Sequence, residues 1–381
     1  MKAKTTFEPA VVGGIEVQNR IFRSATYEGA ARDGKVSDQM IEMYNNLAKG
    51  EVGLIITGWI GVSGNDQPGA RTVVLTDDSS ISGLERLTGT VHLHGRKIIA
   101  QLNHASSQIF SPPKGPVYAP SDVTDPLSGI KPTPFTKEQV QELIAEFGDA
   151  AVRAKKARFD GVQIHGAHGY LLNKFLSPAF NKRTDEYGGS SSKNIRIVLE
   201  ILHEIKTRCG KDFPVWIKLN CSDFDPAGQG LNEEHFLTIA KELAQNGIDA
   251  IEVSGGSFSA EYSPCRHKSH AAYHLEYAKR LTEVVDIPVI LVGGLRNIDT
   301  IDSIISKTKI DAISMSRPLI REPELVKRWK DGDRKDAECV ACNGCFNPTG
   351  TQCFFKLSEE EKVKQKEVMK LMGLARNKNA T

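Results

Sequence analysis

Residues 163–172 read QIHGAHGYLL. An apolar run ends at Ile164, and His165, His168 and Tyr170 follow, interleaved with Gly166 and Gly169. Two imidazoles three residues apart, just past a strand, can point into one mouth and donate hydrogen bonds to a substrate oxygen. A phenol gives up its proton reluctantly, which suits a general acid. The glycines let the chain turn sharply there. Two other readings share these residues. A metal site would need a third ligand and a supporting carboxylate, a place that Asp223 or His104 would have to fill. A satisfied histidine pair in a long loop would explain the glycines and nothing else.

These side chains act together only if strands carry them to one place. Short runs rich in Val and Ile stand at 21–26 (IFRSAT), 53–58 (GLIITG), 97–102 (KIIAQL) and 161–166 (GVQIHG). Four more follow at 214–219 (PVWIKL), 250–255 (AIEVSG), 288–294 (PVILVGG) and 311–316 (DAISMS). Each is nearly continuous in apolar character, as a strand covered on both faces should be. Helical patterns lie between them. Thr136 and Gln139 form a capping box ahead of Val140, Leu143, Ile144 and Phe147, which share one helical face. Ser37 precedes a pattern that Gly50 stops, and a pattern over 232–247 stops at Gly247. Residues 191–210 and 271–285 supply two more. Eight strand–helix alternations predict an α/β fold of the (β/α)8 TIM-barrel type. An open doubly wound sheet would want G-x-G-x-x-G after an early strand, and the chain has none.

In such a barrel, chemistry gathers at the C-terminal ends of the strands. Ala25, Thr26 and Tyr27 follow the first run, and Gly58 and Trp59 follow the second. Gln101, Asn103 and His104 end the third, and His165, His168 and Tyr170 follow the fourth. Lys218 and Asn220 end the fifth, and Ser254, Gly255 and Gly256 the sixth. Gly293 and Gly294 close the seventh, and Ser316 and Arg317 follow the eighth. Polar groups embedded in apolar runs thus fall at one rim. Backbone N–H groups at Gly293 and Gly294 can approach an anion and Arg317 can grip it bidentately, as loops after the last two strands often do with phosphate. A tight turn beside a surface arginine is the plain alternative. Gln101 can donate and accept at once. Lys218 is costly to bury unpaired and predicts an anionic or electron-rich partner. Phosphate on one side and a polar ring on the other suggest flavin mononucleotide (FMN).

The stretch DGVQIHGAHGYLLNKFLSPAFNKRTDEYGGS (160–190) resembles the Old Yellow Enzyme family of flavin-dependent ene-reductases. NRIFRSAT, AQLNHA, VGGLRN and SMSRPLIREPELVKRW recur in the family's order, so the resemblance covers roughly residues 7–350. It implies a TIM barrel holding FMN noncovalently, NAD(P)H as reductant, and α,β-unsaturated carbonyl compounds as substrates. By that resemblance His165 and His168 hold the carbonyl oxygen and Tyr170 protonates the α-carbon. Gln101 and Lys218 contact the flavin ring, with Lys218 where many members have arginine. Gly293, Gly294, Ser316 and Arg317 cradle the phosphate, Ala25, Thr26 and Tyr27 lie under the ring, and Gly58 and Trp59 lie beside it. Trp59 departs from the small residue common there, and it predicts either a ring turned away or a reshaped pocket.

Cys339, Cys342, Cys345 and Cys353 follow the last strand, in the segment CVACNGCFNPTGTQC. Two C-x-x-C steps and a fourth cysteine could hold an iron–sulfur cluster or zinc, and a long branch of the family carries a cluster just after its barrel, with wider spacing. A structural role is the alternative. The chain therefore divides into an FMN-binding barrel over 1–338 and a short cysteine-containing, helical extension over 339–381. The charged tail reads as a solvated helix fraying near Asn377, which could cap a homo-oligomer.

The remainder narrows the class. Lys plus Arg (49) and Asp plus Glu (47) nearly balance, which speaks against a nucleic-acid partner. No apolar run is long enough to span a bilayer and the N-terminus lacks a signal-peptide core, so a cytoplasmic protein with reduced thiols is expected. Segment 103–136 holds seven prolines and no helical period, and is expected to form part of a substrate lid. Segment 256–273, with Tyr262, Arg266 and His267, is expected to face the same pocket. Against an ene-reductase stand a metal-dependent barrel hydrolase built on the histidine pair, and a flavin-binding protein that passes electrons to other acceptors.

Overall fold

The computed structural model describes residues 4–371 apart from 70, 110, 111, 258–262, 267–269, 348 and 349. Eight parallel strands close on themselves: β1 (Ile21–Arg23), β2 (Leu54–Ile56), β3 (Lys97–Asn103), β4 (Gly161–Gly166), β5 (Val215–Asn220), β6 (Ala250–Ser254), β7 (Val289–Val292) and β8 (Ala312–Met315). Each pairs with the next, and β8 pairs back with β1 through Ile313–Ile21, Ser314–Phe22 and Met315–Arg23. All eight lie within the apolar runs or one residue beyond them. The barrel is therefore the fold that the alternation predicts.

Period-two alternation decides what fills the interior. Phe22, Leu54, Ile56, Ile99, Trp216, Ala250, Ile290 and Ala312 form one buried apolar layer. The next inward positions, two residues on, are Ser24, Gln101, Lys218, Glu252 and Ser314, all buried and all polar. Two further on come Asn103, Asn220, Ser254 and Ser316 at the mouth. The outward positions pack on the helices in a second, larger core. On five of the strands, one step thus changes greasy floor to polar chamber, whereas Ile290 is followed by Val292 and Ile56 by Gly58.

The floor has a plug that the sequence pattern did not reveal. Residues Ala10–Val12 and Ile15–Val17 pair antiparallel, and Val12, Ile15 and Val17 join the apolar layer. Trp216 Nε1 donates to Gly13 O at 2.9 Å. Gly13 has φ of +51°, and a Cβ there would meet Trp216 Nε1 at 2.4 Å, so only glycine fits this turn.

Helices α1 (Asp38–Lys49), α2 (Ile81–His92), α3 (Lys137–Lys156), α4 (Arg196–Cys209), α5 (Glu233–Gln245), α6 (Leu275–Leu281) and α7 (Ile298–Lys307) cover the outside. The Thr136–Gln139 capping box forms, Ser37 caps α1, and Asn232 with His235 caps α5. Two predicted helices differ in extent. The 191–210 pattern breaks into Ser191–Asn194 and α4, and the 271–285 pattern keeps only α6. Tyr273 and His274, ahead of α6, turn instead toward the barrel mouth. Among the described residues of segment 103–136 there is no helix, and the segment is pinned from within. Lys174 Nζ lies 2.5 Å from Asp125 Oδ2, with Ser107 Oγ also on the ammonium, and Ser128 Oγ donates to Ser107 O at 2.7 Å. A terminal helix spans Glu359–Leu371. Asn377, Tyr262 and His267 lie outside the described residues. Among the described residues no helix is long and apolar enough to cross a membrane.

Candidate active site

A cavity opens at the C-terminal ends of the strands. Ala25, His168, Lys218, Gly293, Gly294, Ser316 and Arg317 all line it. Residues nearly 300 positions apart in sequence thus face one space, as the barrel closure dictates. His165 and Tyr170 stand beside His168. The His165 ring centroid is 5.2 Å from that of His168 and 5.0 Å from that of Tyr170. The turn that brings them together enters the left-handed region at two positions, His168 at φ +66° and Gly169 at φ +81°.

Both histidines are held neutral. Burial pushes the pKa of each well below the usual imidazole range, and Lys218 adds to that push at both, with His165 and His274 acting on His168 as well. His168 Nε2 lies 2.6 Å from Ser254 Oγ. His165 Nδ1 is buried with no hydrogen-bond partner in the protein. This orphaned ring nitrogen belongs to a residue packed beside the cavity-lining His168, and an unsatisfied buried polar atom there calls for a partner. Burial also raises the Tyr170 phenol to about 12, so it carries its proton throughout the neutral range.

Lys218 finds its partner inside the barrel. Its Nζ lies 3.1 Å from Glu252 Oε2 and 2.8 Å from Ser24 Oγ. The expected anion is thus the protein's own carboxylate, a residue the sequence reading passed over. The signal was the lone acid in AIEVSG. Burial pushes the Glu252 carboxyl up, but Lys218 and donors from Ser314, Ser24 and Gln163 outweigh it and hold the group below the usual carboxylate range. Gln101 Nε2 donates to Gln163 Oε1 at 2.8 Å, and Gln163 Nε2 to Glu252 Oε2 at 2.9 Å. Gln101 and Lys218 are therefore two ends of one buried chain.

The first-strand residues serve the rim in other ways. Thr26 Oγ1 lies 2.7 Å from Ser316 Oγ, tying β1 to β8. Gly58 N donates to Glu28 Oε1 at 2.6 Å, and a Cβ on Gly58 would lie 2.2 Å from Glu28 Oε2. Thr351 Oγ1 donates to Tyr27 O at 2.5 Å. Trp59 turns its ring onto Tyr170, with centroids 5.7 Å apart.

The cysteine segment reaches the same rim. Arg317 Nη1 donates to Asn343 Oδ1 at 2.6 Å, and Cys339 lines the main cavity. A second, smaller pocket behind Arg317 is lined by Cys339, Cys342, Cys345 and Cys353. Burial raises the Cys339 and Cys345 thiols. Among the described residues no three His, Cys, Asp or Glu side chains are arranged to hold a metal ion. The third ligand that a hydrolase would require is committed elsewhere. Asp223 accepts from Asn173, Ser177 and the Leu231 N–H, and His104 Nδ1 faces Asp66 Oδ1 at 3.4 Å.

Residues 5–336 match the model of the NADH:flavin oxidoreductase / NADH oxidase family. The chain is 36% identical over 353 residues to an NADH oxidase of Thermoanaerobacter brockii, across 89% of this chain and 53% of that protein. It is 35% identical over 320 residues to an NADPH dehydrogenase of Halalkalibacterium halodurans, across 83% of this chain and 91% of that protein. The structure of a 2-naphthoyl-CoA reductase complexed with 2-naphthoyl-CoA superposes with a TM-score of 0.86 at 25% identity, over 92% of this chain and 56% of that one. The chain thus spans about half the length of several of its relatives and nearly all of others.

Proposed function

The chain belongs to the NADH:flavin oxidoreductase / NADH oxidase family, and on that premise we propose that it binds FMN at the strand ends and reduces the activated C=C bond of α,β-unsaturated carbonyl compounds with NAD(P)H as hydride donor. The observation that carries this reading is that His168 and Arg317 line one cavity, with His165 and Tyr170 packed beside the first.

The residues present fit the cofactor. Gly293 and Gly294, at φ +124° and +69°, offer backbone without side chain at the cavity wall, and Arg317 supplies a cation for a phosphate. Ala25, Thr26, Tyr27, Gly58, Trp59, Gln101, Lys218 and Ser316 would complete its surroundings. FMN, when bound, supplies the hydride chemistry. The protein's share is orientation and charge. Neutral His165 and His168 donate N–H groups to the substrate carbonyl oxygen, where negative charge grows, and one such donor is worth about 3–4 kcal/mol in comparable sites. Tyr170 holds a proton at its hydroxyl for the α-carbon.

Anaerobic titration tests the proposal. NAD(P)H should bleach the flavin absorbance, and an enone should restore it at a rate that depends on enone concentration. Recovery only with oxygen or a quinone would replace the ene-reductase reading with electron transfer to other acceptors, the activity that the name of the Thermoanaerobacter relative suggests.

A cluster or zinc ion on Cys339, Cys342, Cys345 and Cys353 is a separate part of the proposal, supported by their shared pocket. Their side chains are not set as a ligand group, so no electron path is built on them. Iron and sulfide assay of anaerobically purified protein decides the matter. The same proposal divides the chain into an FMN-binding barrel over 1–338 and a cysteine-containing segment with a helical tail over 339–381.

A further inference from the structure

Between His165 and Tyr170 the chain passes through a left-handed step at His168, φ +66°. A side chain other than glycine keeps that conformation where its surroundings impose it. Three side chains do so here. Asn220 Oδ1 accepts from the His168 N–H at 3.1 Å, and Asn173 Oδ1 accepts from the Gly169 N–H at 2.7 Å. Gln108 Nε2 donates to His168 O at 2.7 Å. They come from three places: the end of β5, the short helix Leu171–Leu176 and the pinned 103–136 segment.

An amide could present either end to the turn, and one carboxylate decides which. Asp223 Oδ1 accepts from Asn173 Nδ2 at 3.1 Å and from Asn220 Nδ2 at 3.0 Å. A carboxylate accepts and does not donate. It therefore takes the NH2 end of both amides and turns both carbonyl oxygens toward the backbone N–H groups. Flipping either amide would set oxygen against oxygen at Asp223 and N–H against N–H at the turn. Asp223 is fixed in its own right, since its Oδ2 accepts from Ser177 Oγ at 2.6 Å and from the Leu231 N–H at 2.8 Å. Gly230 leaves it room: a Cβ there would lie 2.9 Å from that oxygen. Neither asparagine is more than 2% exposed, so water has little access to these bonds.

We propose that Asp223 is a positioning residue for the reduction: through Asn173 and Asn220 it holds the turn that aims His168 and Tyr170 at the substrate. The inference rests on the roles given above to those two side chains. An acid that a metal site would have claimed thus acts instead through two amides on the backbone of the turn.

Hydrogen exchange and single-turnover kinetics of the FMN-loaded protein test this. Asp223→Asn keeps the shape but offers an N–H where only oxygen stood, so the two amides lose their fixed sense. Exchange of the His168 and Gly169 amides should quicken by about tenfold, with those of β4 and β5 unchanged. Enone reoxidation of the reduced flavin should slow by about ten- to a hundredfold at saturating enone. The dissociation constant for FMN should stay within about twofold, since Asp223, Asn173 and Asn220 are not among the residues lining the cavity. In a background carrying His168→Asn and Tyr170→Phe, the same substitution should cost no more than about twofold, because the turn then has nothing to aim. A full loss in that background overturns the proposal, as does an enone rate equal to the parent's or unchanged exchange at both amides. Where Asp223→Asn does not fold, Asn173→Ala removes the Gly169 contact and is put through the same cycle. If the parent reoxidises with no enone, the function reading falls, and the exchange rates alone decide whether Asp223 holds the turn.

Discussion

Lys218 Nζ stands 3.1 Å from Glu252 Oε2, across the register pair that joins β5 to β6, and neither side chain is more than 2% exposed. The pair sits one step below the mouth and above the apolar floor. Its energetics are lopsided. Two desolvated charges roughly offset their own desolvation, but either one alone would be an uncompensated ion in the barrel. Glu252→Gln should therefore cost about 3–5 kcal/mol, and Lys218→Met a similar amount. The double variant should lose much less than the sum, because it leaves no orphaned charge. Urea unfolding of all four proteins measures this coupling. Additive losses would mean that the pair is not an ion pair in solution. Glu252 titrates below the ordinary carboxylate range, so its contribution is complete above the unfolded value of about 4.5 and is lost only as pH falls through the lower folded one.

His165, His168 and His274 bear on the same acid edge of that pH profile, starting at a higher pH. His165 and His168 are pushed well below the usual imidazole range by burial, and His274 is pushed to about 3. The unfolded chain takes up their protons near pH 6.5, while the folded chain refuses them. Stability should thus fall below pH 6.5 by about 1.4 kcal/mol per pH unit for each histidine, and be flat in this respect above it. His168→Asn should remove one such share of the slope. Denaturant midpoints at pH 7 and below pH 6 give the result. An unchanged slope would mean that His168 is not neutral in the folded state.

The elements and the set of rim residues were legible in the sequence for one reason: in a parallel barrel, local apolar runs and chain order fix where strand ends go. What stayed hidden was tertiary. Glu252 looked like a chance acid in an apolar run until β5 placed Lys218 opposite. Nothing local says that the Trp59 ring meets Tyr170. The Val12–Ile15 plug is too short to stand out by period, and Arg317 gave no sign that Asn343, 26 residues away, would hold it. Each of these depends on closure of the barrel, which no window of the sequence contains.

The plug offers a test of that closure. Gly13→Ala places a methyl 2.4 Å from Trp216 Nε1 in a backbone at φ +51°. The strain and the displaced indole should cost about 1–3 kcal/mol, with the Trp216–Gly13 hydrogen bond at risk. Gly14 also has positive φ, but its nearest neighbour to a Cβ is 3.5 Å away. Gly14→Ala should therefore cost less. Thermal unfolding of the two variants side by side reads the difference, and equal losses would show that backbone strain alone, not the floor contact, sets the requirement.

Asn343 links the cysteine segment to the Arg317 end of the cavity. Its Oδ1 accepts from Arg317 Nη1 at 2.6 Å, and its Nδ2 donates to Cys265 O at 3.1 Å. The residue adopts φ +59°, a region that asparagine and glycine tolerate best. Asn343→Gly keeps that backbone and removes both contacts. Arg317 then keeps only its longer bond to Ala341 O at 3.4 Å, and a more loosely held guanidinium must be ordered again on binding, at a cost of up to about 0.5–1.5 kcal/mol for one side chain. The dissociation constant for FMN should rise about two- to tenfold, measured by quenching of flavin fluorescence. Arg317→Lys should lose more, since it removes the bidentate grip itself. If Asn343→Gly binds FMN as tightly as the parent while Arg317→Lys does not, the arginine is aimed by the cavity wall and the extension plays no part in holding the cofactor.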